Sequence, residues 1–119
     1  MNLRMFSVAF VMVFMSSHAN AAGGYYLDGN RLHQYCQTEQ GYVVGYTTGV
    51  VDALLLLTWY TEATEQKSSY QLCYPSNVLN TQLSDVVCKG LKDNPKDRHS
   101  PANILVYLYL SAAFPCTGQ

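Results

Sequence analysis

Four cysteines, Cys36, Cys73, Cys88 and Cys116, constrain this chain more than any other feature. They are spaced 37, 15 and 28 residues apart, with no CxxC pair. That spacing suits neither a zinc ribbon nor a thioredoxin-type redox pair. All four follow a stretch with the three parts of an export signal. Met1 to Arg4 is a short positive region, Met5 to Met15 is an apolar run, and Ser16 to Ala21 ends in Ala19-Asn20-Ala21. A signal peptidase cuts behind such an A-x-A pattern. The apolar run falls short of the about 20 residues that a membrane-spanning helix needs. Residues 1–21 are therefore expected to be a removed signal peptide, and residues 22–119 the folded domain. An even number of cysteines in an exported chain reads as two disulfides.

Removing 21 of 119 residues leaves 98, enough for one domain with one core. Six Lys and Arg then stand against eight Asp and Glu, a net charge of −2. No basic footprint for nucleic acid or anionic lipid results. All ten tyrosines remain beside only 14 charged residues, which argues against disorder. A Tyr-rich, charge-poor surface is common on protein-binding faces, although a single tyrosine more often sits at a half-buried core edge.

Pro and Gly punctuate four helical segments, and no strand pair emerges. The first spans Asp28 to Gln37, with Asp28 as N-cap and Leu32, Tyr35 and Cys36 on one face. The second runs from about Gly41 to Thr64. It sets Gly41, Gly45, Gly49 and Ala53 on one face at four-residue spacing. Each interior glycine costs a helix ~1 kcal/mol against alanine, and close approach of another backbone is the usual compensation. Tight packing within one chain is favoured over a seam between two chains. Asp52, costing ~3 kcal/mol at a bilayer centre, argues against reading this segment as a membrane span. The third segment runs from an Asn80 N-cap to about Asp93 and stops at Asn94-Pro95. The fourth opens at Ser100-Pro101, runs Ala102 to Phe114, and is apolar nearly all round. It is expected to be the central buried helix. The expected fold is all-α, a small disulfide-stabilised bundle of about four helices.

Short connections imply antiparallel neighbours, and this bears on the three possible disulfide pairings. With the second helix running up, Cys73 and Cys116 fall at the top and Cys36 and Cys88 toward the bottom. Sulfur pairing needs Cα atoms within about 7 Å, so Cys73–Cys116 and Cys36–Cys88 are favoured.

Catalytic motifs are absent: there is no HExxH, GxSxG or GxxxxGK[ST]. His33 and His99 sit in no metal-ligand pattern, and no cofactor or metal is indicated. A Cys–His nucleophile would need a thiol, which bridged cysteines lack. Asp52, alone in an apolar stretch, is read as a carboxylate tied to a polar group that fixes helix register, in preference to a proton or ligand site. The loop Asp93-Asn94-Pro95-Lys96-Asp97-Arg98-His99-Ser100 concentrates four of the 14 charges. Composition alone divides evenly between a solvated turn and a partner-facing loop.

Taken together, the segments resemble the type VI secretion immunity proteins of the Rap/Tai family. The resemblance lies in Asp28-Gly29-Asn30-x-Leu32-x-x-x-Cys36, Gly41-Tyr42-x-x-Gly45 and Gly49-x-x-Asp52. It continues in Cys73-x-Pro75, Gln82-Leu83 and Phe114-Pro115-Cys116. One departure is clear: family members commonly carry a cysteine near the start of the second helix, and residues 37–46 have none. Cys88 takes that place as the partner of Cys36, leaving the family's Cys73–Cys116 pairing intact. The resemblance implies a periplasmic, all-helical protein, often a homodimer, that binds and blocks a peptidoglycan amidase delivered by neighbouring cells. It also implies that the loop Asp93 to Ser100 reaches the effector cleft, where no chemistry by the inhibitor is needed. With the span reading of the second segment set aside, no membrane is expected after signal cleavage. The competing readings are a small periplasmic stress chaperone, or another protein-binding module, and an enzyme. The low charge content speaks against an acid-activated chaperone.

Overall fold

The structure is a computed structural model that describes residues 25–67 and 69–117. The expected leader lies outside the described residues. Four helices follow one another: α1 (Gly29–Thr38), α2 (Gln40–Ala63), α3 (Asn80–Asp93) and α4 (Ala102–Ala113). Among the described residues the only β pairing is a single bridge between Asp28 and Pro101. The fold is an all-α bundle.

The helix boundaries follow local chemistry. Asp28 caps α1, its carboxylate accepting from Arg31 N at 2.8 Å. Glu39 alone separates α1 from α2, and the Tyr35 and Tyr42 rings close that corner at 4.4 Å between centroids. α2 ends where Glu65 takes a positive φ of 56°, and Gln66 N–H returns to Thr61 O at 2.8 Å. α3 is capped one residue earlier than expected. Leu79 occupies the cap position, and the Gln82 side chain accepts from Leu79 N–H at 2.8 Å. Asn80 becomes the first helical residue instead. Pro101, not Ser100, likewise precedes α4, because the Ser100 carbonyl is engaged with α1.

The core is one cluster built from every helix. Leu32, Val43, Val51, Leu83, Val87, Leu91, Leu105, Val106 and Leu110 are buried together. Each such side chain contributes roughly 1.5–3 kcal/mol of burial. α3 packs on all three other helices. α4 is less central than its composition suggests: Leu105, Val106 and Leu110 face the core, but Ile104 and Leu108 are about half exposed. Gly90 is required where α3 meets α4, since a Cβ there would strike the Tyr109 ring, lying 2.6 Å from its Cδ2 and 2.7 Å from its Cδ1.

The disulfides are Cys36–Cys88 and Cys73–Cys116, with Cα separations of 5.7 and 5.1 Å. These are the pairings favoured by the up-down order. The first ties α1 to α3. The second ties the long α2–α3 connection to the end of α4.

α2 is long and apolar enough to cross a membrane by length and composition. Here Val43, Thr47, Val51 and Thr61 are buried, and α2 packs on α1, α3 and α4. Asp52 lies on the exposed side with no hydrogen bond or ion pair among the described residues, so it does not tie helix register as expected.

Candidate functional site: the α3–α4 loop and its supports

The Asp93–Ser100 segment is held at both ends and in the middle. Asn94 closes α3 by donating twice to Gly90 O, from its backbone N–H at 3.0 Å and its side-chain Nδ2 at 2.9 Å. Pro95–Asp97 form one turn of 3₁₀ helix, with Asp97 N–H reaching Asn94 O at 3.1 Å. Ser100 N–H then reaches Asp97 O at 3.0 Å.

Arg98 is the internal strut. Its Nε donates to Leu91 O at 2.6 Å and its Nη2 to Lys92 O at 3.1 Å. These carbonyls belong to the last turn of α3, which has no intrahelical donors left for them. One guanidinium therefore both caps α3 and fixes the loop. The backbone of the same residue docks on α1, where Asn30 N–H donates to Arg98 O at 2.8 Å and Gly29 N–H to Ser100 O at 3.0 Å. Ala102 N–H completes the seam by donating to Leu27 O at 2.8 Å. The Asp28-Gly29-Asn30 stretch thus spends its free helix-start N–H groups on the loop. Burial holds the Tyr109 hydroxyl above its usual range, with Asp97 adding to the effect and Arg98 opposing it.

The eight loop residues divide by exposure. Asp93, Pro95, Lys96 and His99 are exposed, whereas Asn94, Asp97, Arg98 and Ser100 are partly buried. Asp93 pairs with Lys89 one turn back, and the hydrogen bond from Lys89 holds its carboxyl below the usual range. Lys96 and His99 are left as the side chains best placed to meet a partner.

A second feature lies away from the loop. A groove of about 610 Å³ runs between α2 and α4, lined by Gly45, Gly49, Ala53, Leu57, Ile104 and Tyr107. Cβ atoms added at Gly41, Gly45 or Gly49 would meet nothing within 4 Å. The expectation that this stripe packs tightly inside one chain is therefore corrected: the glycines lie on an open face. Beside them Leu56 and Trp59 are each 64% exposed. Sequence reading missed this patch because an apolar helix leaves no polar face to mark which side is covered.

No group of three His, Cys, Asp or Glu able to hold a metal occurs among the described residues. All four cysteines are bridged.

The family model of the Rap1a immunity proteins matches residues 28–116, from the Asp28 cap to the last cysteine. This chain belongs to the Rap1a immunity protein family. No curated protein and no solved structure matches it. A Rap1a immunity protein serves as the binding partner of a cognate type VI secretion effector. In this Rap1a protein the matched region contains the complete loop, both disulfides and the α1 residues that hold the loop.

Proposed function

We propose that this Rap1a protein acts in the periplasm and blocks a peptidoglycan amidase by seating the Asp93–Ser100 loop in the amidase cleft. The rigidity of the loop carries this reading. Two seam hydrogen bonds from the start of α1 and the Arg98 strut fix it in advance. Little ordering entropy is then lost on docking. A preformed projection can occlude a Cys–His cleft sterically, with Lys96 and His99 supplying polar contacts. The inhibitor performs no chemistry. Two disulfides suit an oxidising compartment, and the signal pattern at residues 1–21 supplies the route there.

The α2–α4 face supports a homodimer. A glycine stripe that meets nothing in its own chain lets a second α2 approach closely, and the exposed Leu56, Leu57 and Trp59 supply apolar area beside it. A stable dimer buries roughly 800 Å² per partner. The same face would also serve a client-binding chaperone. Light scattering of an aggregating client at low pH separates the two, since an immunity protein leaves the aggregation unchanged.

The direct test titrates this protein with amidase-type products of the genes flanking its own. Nanomolar-class binding to one of them, with loss of amidase activity, is expected. Binding that is unchanged in the Lys96→Ala, His99→Ala double variant refutes the loop assignment.

A further inference from the structure

Charge in this protein is segregated. A groove of about 680 Å³ lies between α1 and α3, beside the Cys36–Cys88 bridge, and ends at the loop. Its charged lining is Lys89, Lys92, Arg98 and Asp93, with His33 opposite on α1. Three cations against one carboxylate give this groove +2. Residues 22–119 outside it carry three cations against seven carboxylates, or −4.

Asp93 forms its ion pair with Lys89, and the Lys92 charge also acts on its carboxyl. Lys92 and Arg98 form no ion pair among the described residues. Arg98 spends donors on the Leu91 and Lys92 carbonyls, which also offsets the negative end of the α3 dipole where an anion would otherwise be repelled. The positive field is felt across the groove: burial, and then the Arg98 charge, hold His33 below its usual pKa. A neutral His33 can still donate one hydrogen bond to an anion.

We propose that the α1–α3 groove binds a carboxylate-bearing segment of the effector, next to the cleft that the loop enters. The inference rests on the immunity reading for the identity of the partner. Two observations support it. The cations converge on a groove that already has walls, and Arg98 belongs to both the groove and the loop, so the two surfaces are continuous. An acidic segment would find complementary charge here and repulsion over the remaining −4 surface.

The test uses the full mature protein, ¹⁵N-labelled, titrated with acetylated octaglutamate, octalysine and inorganic phosphate. Octaglutamate is expected to shift the amides of His33, Gln37, Lys89 and Lys92 saturably. Its affinity should fall at least threefold in Lys92→Glu and stay unchanged in Lys67→Glu, which makes the same charge change on an exposed residue outside the groove. Shifts elsewhere, equal loss in both variants, or an equal response to phosphate overturn a carboxylate site. A flanking-gene amidase then separates the two proposals. Binding that is weakened by the Lys96→Ala, His99→Ala change but not by Lys92→Glu overturns the groove and leaves the loop reading intact. An amidase bound more weakly by Lys92→Glu than by Lys67→Glu supports the groove, and it supports the loop reading as well only where the Lys96→Ala, His99→Ala change also weakens binding. If no flanking amidase binds the unaltered protein, the immunity reading fails, and the groove assignment to an effector falls with it even where octaglutamate binds.

Discussion

Gly29 and Arg98 touch so closely that there is no room for a side chain between them. A Cβ on Gly29 would lie 2.8 Å from Arg98 O and 2.9 Å from Arg98 Cα, and would also strike Leu105. Backbone atoms cannot swing aside as a flexible side chain can. Gly29→Ala must therefore push the loop off α1 or strain the start of the helix. A destabilisation of about 1–3 kcal/mol is expected, measured by urea unfolding, together with weakened binding to the effector although residue 29 is itself buried.

Arg98 supports the loop from inside, so its replacement tests structure before recognition. Arg98→Ala leaves the Leu91 and Lys92 carbonyls without that donor and should cost about 1.5–3 kcal/mol. Arg98→Lys keeps the charge but not the forked geometry and should recover only part of this. His99→Ala, on an exposed side chain, should leave unfolding within about 0.5 kcal/mol of the parent. Equal unfolding midpoints for Arg98→Ala and His99→Ala would contradict the strut.

The glycine stripe makes a prediction whose sign depends on assembly. On a lone helix face, Gly45→Ala or Gly49→Ala meets nothing and should stabilise α2 by up to ~1 kcal/mol. In a close helix seam between two copies the same methyl group obstructs contact. Light scattering after size exclusion decides: a dimer that dissociates more readily in Gly49→Ala supports the seam, and an unchanged monomer with a raised melting temperature excludes it.

His33 links stability to pH. Its pKa in the fold is lowered from 6.5, mainly by burial and then by Arg98. The unfolded chain thus binds more protons than the fold as pH falls through about 6.5 and below. Stability contributed by neutral His33 is present above that value and declines below it, until the folded pKa is passed. His33→Gln should flatten this part of the pH profile, as read by chemical denaturation between about pH 7.5 and 5.5.

Both bridges close long loops, 52 and 43 residues apart in sequence. The chain-entropy model gives each about 4 kcal/mol. Serine replacement of either pair should lower the melting temperature by comparable amounts. Peptide mapping of the unreduced protein should recover Cys36 with Cys88, and a Cys73–Cys88 peptide would contradict the bundle order.

Much of the fold is legible from local signals. Asp28 before a helical period, Asn94-Pro95 after one, and glycine and proline between segments mark elements that the structure contains. The disulfide pairing follows from helix order because four helices packed in one bundle leave few arrangements. The loop is legible as a charged projection, but its division of labour is not. Arg98 bonds carbonyls six and seven residues away and presents its own carbonyl to α1, relations that no periodicity encodes. Asp52 and the glycine stripe face outward for a related reason. An apolar helix such as α2 has several faces that would each suit a core, and only the positions of α1, α3 and α4 decide which one is used.

The two bridges interleave along the chain, since Cys73 lies inside the span from Cys36 to Cys88 and Cys116 lies beyond it. A backbone cut at any single peptide bond between residues 36 and 116 therefore leaves both fragments covalently joined. The connection between α2 and α3, exposed over much of its described length, can thus be severed without freeing the loop from the helices that hold it.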